Sequence, residues 1–208
     1  MQPNSQLPEG AFRRYDESPD DQFYAQPRLV THIEDATIAA VTELYRELLP
    51  PNGEILDLMS SWVSHLPPET EFKRVAGLGM NRDELKANPR LNDLEVRDLN
   101  RNSSLPFADA SFDALMCCVS IQYLTRPVEV MREAARVARR NAPMVITFSN
   151  RCFPTKAVLA WQMLDDAGHL DLVASYLQNA GGWTQIEKLT RTPRGSREPL
   201  LAVVARRA

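Results

Sequence analysis

The chain has 208 residues, enough for one domain with a single sizeable core and a decorated end. Lys and Arg number 24 against 27 Asp and Glu, a formal charge of −3, so no electrostatic surplus points to nucleic acid or an anionic membrane as the main partner. The three cysteines, Cys117, Cys118 and Cys152, are odd in number and lack metal-ligand spacing, which argues against a disulfide framework or a metal site. Cys117-Cys118 lie in an apolar run, and buried, reduced, inert thiols are the expectation. With neither an apolar leader pattern nor an apolar run of membrane-spanning length, the chain reads as soluble and cytoplasmic.

Residues 1–21 are rich in Pro, Asp, Glu, Gln and Ser and read as a flexible arm. Phe12, Tyr15, Phe23 and Tyr24 punctuate this polar segment, either as surface packing or as a lid over a site. Asp35 is a plausible cap for a helix carrying Ile38, Val41, Tyr45 and Leu48 at helical spacing, closed by Pro50-Pro51. We expect 1–52 to be arm and lid helix, and 53–208 the main domain.

Ile55 to Leu58 is a short apolar strand running into Met59-Ser60-Ser61 and a helix start that Pro67-Pro68 would stop. Arg74 to Leu78 is a second strand, followed by a short helix from Arg82 to Asn88. Leu94 to Arg97 is a third strand. Phe112 to Val119 is apolar throughout, as a parallel strand buried on both faces should be. Pro127 to Arg140 is the clearest helix, with Val130, Met131, Ala134 and Val137 on one face. Met144 to Phe148 is a fifth strand. Helical segments from Pro154 to about Asp166 and from Leu170 to Ala180, separated at Gly168, precede two final strands, Trp183 to Thr190 and Leu200 to Ala205. The turn-rich link Thr192 to Ser196 makes that last pair antiparallel. Seven strands alternating with helices and closing in a hairpin give an α/β fold, a mostly parallel sheet with helices on both faces.

At Leu105-Pro106-Phe107-Ala108-Asp109-Ala110-Ser111-Phe112-Asp113 the sequence resembles a loop of class I S-adenosylmethionine-dependent methyltransferases, the type 11 group in particular. The resemblance runs from about Ile55 to Phe148. The segments Leu56 to His65, Gly77 to Asn81 and Phe148 to Ala157 are similar to signatures of one subgroup, LDLxSSWVSH, GxGMN and FSNRxFPTKA. It implies a Rossmann-like methyltransferase fold and S-adenosylmethionine as cofactor, with S-adenosylhomocysteine as product. The methionine end would lie against Asp57, Ser60 and Ser61, and the ribose by Gly79, Met80 and Asn81. Adenine would sit between Met80 and Asp98-Leu99, and Cys118, Val119 and Ser120 would face the sulfonium.

The chain departs from that family twice. Its glycine-rich turn is Met59-Ser60-Ser61 here, and Gly79 stands where an acidic residue usually accepts from the ribose hydroxyls, with Asn81 as a neutral substitute. Methyl transfer from a sulfonium needs orientation and exclusion of water more than a strong base. His32, His65, Tyr24 and Tyr123 are candidate bases, and Tyr24, His32, Gln122, Tyr123, Asn150 and Arg151 are candidate substrate contacts. Phe153, Trp161 and Met163 read as core or lid packing, with a substrate wall as the alternative. The activity implied is methyl transfer to a small molecule. The alternative is a non-catalytic module of the same fold that binds a nucleoside or a protein partner. A nicotinamide-dependent oxidoreductase would want G-x-G-x-x-G after Asp57 and is disfavoured.

Overall fold

The computed structural model describes residue 8 and residues 10–208. It contains the strands β1 (Glu54–Leu58), β2 (Arg74–Gly79), β3 (Asp93–Val96), β4 (Ala114–Cys118), β5 (Pro143–Phe148), β6 (Trp183–Thr190) and β7 (Leu201–Arg207). They form one sheet in the order β3-β2-β1-β4-β5-β7-β6. The first five are parallel, and β7 runs antiparallel between β5 and β6. The helices are α1 (Asp20–Phe23), α2 (Asp35–Leu48), α3 (Arg82–Ala87), α4 (Pro127–Val137), α5 (Leu159–Gln162) and α6 (Asp166–Ala180). This is the Rossmann-like methyltransferase fold.

Alternation along the central strands sends side chains to two cores. Leu56, Leu58, Leu115, Cys117, Met144 and Ile146 pack with Val130, Met131 and Ala134 of α4 and with Val173 and Leu177 of α6. Ile55, Ala114, Met116, Val145 and Val204 pack on the other face with Val41, Leu44 and Tyr45 of α2. Covered on both sides, β1, β4 and β5 are apolar runs, as their sequences suggested.

Several local expectations shift for identifiable reasons. Glu34, not Asp35, occupies the cap of α2, and no side chain closes it. Gly168 does not separate two helices: Asp165 caps α6 by accepting from the Gly168 N–H at 2.9 Å, so that glycine lies in the first turn of a continuous helix. Residues 154–158 are turn and bridge rather than helix, because Val158 pairs with Arg14. Helix α4 stops at Val137, and Ala138 bridges to Phe112 ahead of β4.

The largest departure is the first crossover. No helix joins β1 to β2; residues 59–73 are turn and coil. Parallel neighbours usually need a helix to satisfy the connecting backbone, and here side chains do it. Arg90 donates to the carbonyls of Pro67, Pro68 and Thr70, Asn88 to that of Ser61, and Thr42 to that of His65.

The polar N-terminal segment is also tied down from residue 10 on; the remainder of the expected arm lies outside the described residues. Arg13 and Ala11 offer carbonyls to the N–H groups of Leu159 and Ala160. Lys156, wholly buried, donates to Ser18 O at 2.7 Å and pairs with Asp16 and Asp20 at 3.2 and 3.3 Å, while Arg14 holds both oxygens of Asp20. Hydrogen bonding to Ser18, helped by Lys156, lowers the Asp16 carboxyl to about 2. Lys156→Met should cost roughly 3 kcal/mol, the scale for removing one partner of a buried ion pair. Urea denaturation should show that loss, and limited proteolysis should show new cleavage within residues 10–28.

Candidate active site

The carboxyl ends of β1 to β4 open into a cavity of about 280 Å³, close to the lower end of the ~300–1,000 Å³ usual for small-molecule sites. A strap, residues 24–34, crosses it. The strap is held by donors and acceptors from four places. Asn81 Nδ2 donates to Tyr24 O and Ala25 O, and Glu84 accepts from the Arg28 N–H. Trp62 Nε1 donates to Val30 O, and Glu198, in the β6–β7 loop, accepts from the Glu34 N–H.

All eleven residues expected to hold a cofactor line this cavity: Asp57, Ser60, Ser61, Gly79, Met80, Asn81, Asp98, Leu99, Cys118, Val119 and Ser120. Asp57 is buried, and Ser60 and Ser64 both donate to its Oδ2, at 2.6 and 2.7 Å. Burial outweighs these two bonds and pushes its carboxyl up to about 6. No cation pairs with Asp57 among the described residues, so its site suits a ligand that brings a positive charge.

The two sequence departures meet at one contact. A Cβ at Gly79 would fall inside van der Waals distance of the Ser60 carbonyl oxygen, because the Ser60 N–H is bonded to Leu78 O at 2.8 Å and lays the turn on the end of β2. Asn81 is not free to replace the missing acid. Its Oδ1 caps α3 by accepting from the Asp83 and Glu84 N–H groups, and its Nδ2 is spent on the strap. The nearby carboxylate is Glu84, a residue the sequence reading passed over. It is buried at the cavity wall and accepts from Ser61 Oγ at 2.6 Å and from the Arg28 N–H at 2.7 Å. An acidic residue inside a short amphipathic helix gave no signal of this.

Both hydrogen bonds to Asp98 fall on Oδ1, from the Asn100 and Arg101 N–H groups, which leaves Oδ2 for a ligand. Among the described residues nothing accepts from the Leu99 N–H. That carboxylate and N–H form a donor and acceptor pair suited to a nucleobase edge. At the end of β4, Val119 has φ 48°, a strained value for a β-branched residue, held by its N–H bond to Thr147 O. Burial raises Cys118 to about 11 and Cys117 to about 12, so neither thiol is a nucleophile at neutral pH.

On the substrate side, Tyr24, His32, Tyr123 and Arg151 line the cavity. Gln122 and Asn150 do not. Gln122 is fully buried and ties Val119 O to Arg151 O, whereas Asn150 is exposed on the rim. Phe153 is a wall of the cavity, in contact with Phe23, His32 and Tyr123. Trp161 is core and Met163 is exposed. Burial drives Tyr24 and Tyr123 above the ordinary phenol range, and the Tyr123 hydroxyl accepts from the Phe153 N–H, so neither serves as a base. Burial lowers His32 and His65, which therefore stand as neutral imidazoles at the cavity.

Asp57 sets a pH dependence whose sign follows from linkage. Its folded value, about 6, lies above the ordinary 3.8, so the folded state holds the proton more tightly and stability falls as pH rises between those values. The full change is about 3 kcal/mol. Urea denaturation from pH 3.5 to 7 should show the stability of wild type relative to Asp57→Asn declining by that order. A constant difference would refute the assignment.

A family model described as methyltransferase domain matches residues 62–146, from the first crossover to β5. No curated protein matches the sequence. An S-adenosylmethionine-dependent methyltransferase from Mesorhizobium loti is similar in structure, with a TM-score of 0.57 and 16% identity over 81% of this chain and 98% of that one. A second from Aquifex aeolicus gives 0.56 and 15% over 83% and 92%. Phosphoethanolamine N-methyltransferase 2 of Haemonchus contortus, in complex with S-adenosyl-L-methionine, gives 0.59 and 13% over 81% and 52%. The similarity in structure carries the fold, and the family match over the segment from Trp62 to Ile146 supports reading the chain as a methyltransferase.

Proposed function

We propose that the chain transfers a methyl group from S-adenosylmethionine to a small molecule enclosed beneath the strap. The observation that carries this reading is the arrangement of two carboxylates along one cavity. Among the described residues, Asp57 is buried without a cation at the end of β1, and Asp98 keeps one oxygen beside an unused N–H past the end of β3. The first suits a cationic ammonium or sulfonium, the second an aminopurine edge. Ser60, Ser61, Met80 and Val119 lie on the same wall.

When bound, S-adenosylmethionine supplies an activated methyl group for in-line displacement. The chain's own residues orient, enclose and neutralise. Asp57 holds positive charge, Val119 and Ser120 shape the wall at the end of β4, and the strap keeps water out. His32 and His65 are the groups available to take a proton from an acceptor that must lose one. Partners follow from the same reading: a small-molecule substrate, with no nucleic acid and no membrane involved. No helix among the described residues is long and apolar enough to cross a membrane.

Calorimetric titration should give micromolar binding of S-adenosylmethionine and S-adenosylhomocysteine and none of NAD. Asp57→Ala and Asp98→Ala should each weaken binding at least tenfold while circular dichroism stays unchanged. Because a cation beside Asp57 favours its ionised form, binding near pH 6 should release protons in wild type and not in Asp57→Asn, read from the dependence of heat on buffer ionisation. No binding at millimolar ligand would sink the enzyme reading and favour a partner module.

A further inference from the structure

The strap carries Arg28 into the end of the cavity walled by aromatic rings. Its guanidinium carbon lies 4.6 Å from the Phe23 ring centre, 5.4 Å from Phe153 and 5.8 Å from Tyr24. Nη2 donates to Phe23 O at 2.9 Å. Nη1 is buried and has no hydrogen-bond partner among the described residues.

The other cations around this aromatic group all have carboxylates. Arg14 holds Asp20, Lys156 pairs with Asp16 and Asp20, and Arg151 pairs with Glu198 at 3.2 Å. Arg28 forms no such pair among the described residues. Glu84 serves its backbone instead, accepting from the Arg28 N–H through one oxygen and from Ser61 Oγ through the other. Aromatic faces offset part of the charge but provide no acceptor for an in-plane N–H. A buried guanidinium edge without an acceptor is costly unless a ligand supplies one.

The fork geometry of a guanidinium matches a carboxylate through two parallel bonds. A dianionic group such as a phosphate fits less well, because Asp57, Glu84 and Asp98 line the same cavity. Phe153, stacked on Tyr123 at 5.8 Å and edge-on to His32 at 5.3 Å, gives the rest of the ligand an apolar aromatic surround. Building on the methyltransferase reading above, we propose that the methyl acceptor is an aromatic monocarboxylate, anchored by its carboxylate on Arg28 with its ring among Phe153, Tyr123 and Tyr24.

The test uses the full chain saturated with S-adenosylhomocysteine and three probes of one shape: 2-naphthoate, 2-naphthamide and 2-naphthylmethylamine. Ligand-observed NMR should show naphthoate binding at least tenfold tighter than the amide or the amine. Arg28→Gln should weaken naphthoate at least tenfold and leave the amide and S-adenosylhomocysteine affinities unchanged. Arg28→Lys, which keeps the charge without the fork, should fall between. Thermal unfolding of each variant checks that it is folded, and Phe153→Leu, which leaves Arg28 intact, should weaken all three probes alike. Equal affinity for naphthoate and naphthamide would overturn the proposal, as would naphthoate binding that survives Arg28→Gln. A parallel loss of S-adenosylhomocysteine in Arg28→Gln would also overturn it, by assigning Arg28 to the cofactor. If S-adenosylhomocysteine binds and naphthoate shows no preference, this proposal falls while the methyltransferase reading stands. Naphthoate binding that depends on Arg28 in a chain that ignores S-adenosylhomocysteine supports the carboxylate site and removes the methyltransferase reading.

Discussion

A single buried oxygen, Asp57 Oδ2, accepts hydrogen bonds from the hydroxyls of both Ser60 and Ser64, and one wall of the cavity is tied together outward from that point. Ser64 Oγ in turn accepts from Asn88 Nδ2, which also reaches Ser61 O. Ser61 Oγ donates to Glu84, and Glu84 accepts from the strap at the Arg28 N–H. One polar chain therefore runs from the central strand β1, through a crossover with no helix, to the cover of the cavity. Each member is satisfied by the next, which is the condition under which a buried network rigidifies a site instead of weakening it.

That chain also explains how a carboxylate stays poised without a cation. Two hydroxyl donors offset part of its desolvation, and the remaining cost keeps it half protonated near pH 6. A fixed salt bridge at Asp57 would have kept the carboxylate ionised and closed it to a cationic ligand. The strap is held by hydrogen bonds from Asn81 and Glu84, from the crossover and from the β6–β7 loop, with Ile33 as its buried apolar anchor. Leu29 is exposed, and Val30, also open to solvent, lines the cavity. Segments tied by a few polar bonds open at low free energy, as a cover must if ligand is to enter.

Strand positions and the hairpin were legible because parallel strands buried on both faces are written as apolar runs, and β1, β4 and β5 have no polar face to blur them. The residues expected on the cofactor side line one cavity, since chain topology brings the carboxyl ends of β1 to β4 together whatever their side chains. What could not be read was tertiary compensation. Arg90 carries no sequence signal and is the donor that satisfies carbonyls of the crossover in place of a helical ladder. Lys156 looked like part of a motif and is a buried cation pinning the N-terminal segment. The strand ends made Asn81 a substitute for an acid, whereas its amide is consumed by a helix cap and the strap. Short polar residues serve caps and ligands with the same atoms, and sequence does not say which use they are put to.

The contact between the Ser60 carbonyl and Gly79 joins two oddities that looked independent in the sequence. The backbone carbonyl of Ser60 fills the volume that a side chain at position 79 would need, so the turn after β1 and the end of β2 fit together only while position 79 is glycine. An acid at 79 would collide with that carbonyl and force the turn to shift, whereas a glycine at 60 would carry the same carbonyl and leave the contact as it is. Placing a carboxylate at this end of β2 therefore asks for a new path of the turn after β1, and not for a change of side chain alone.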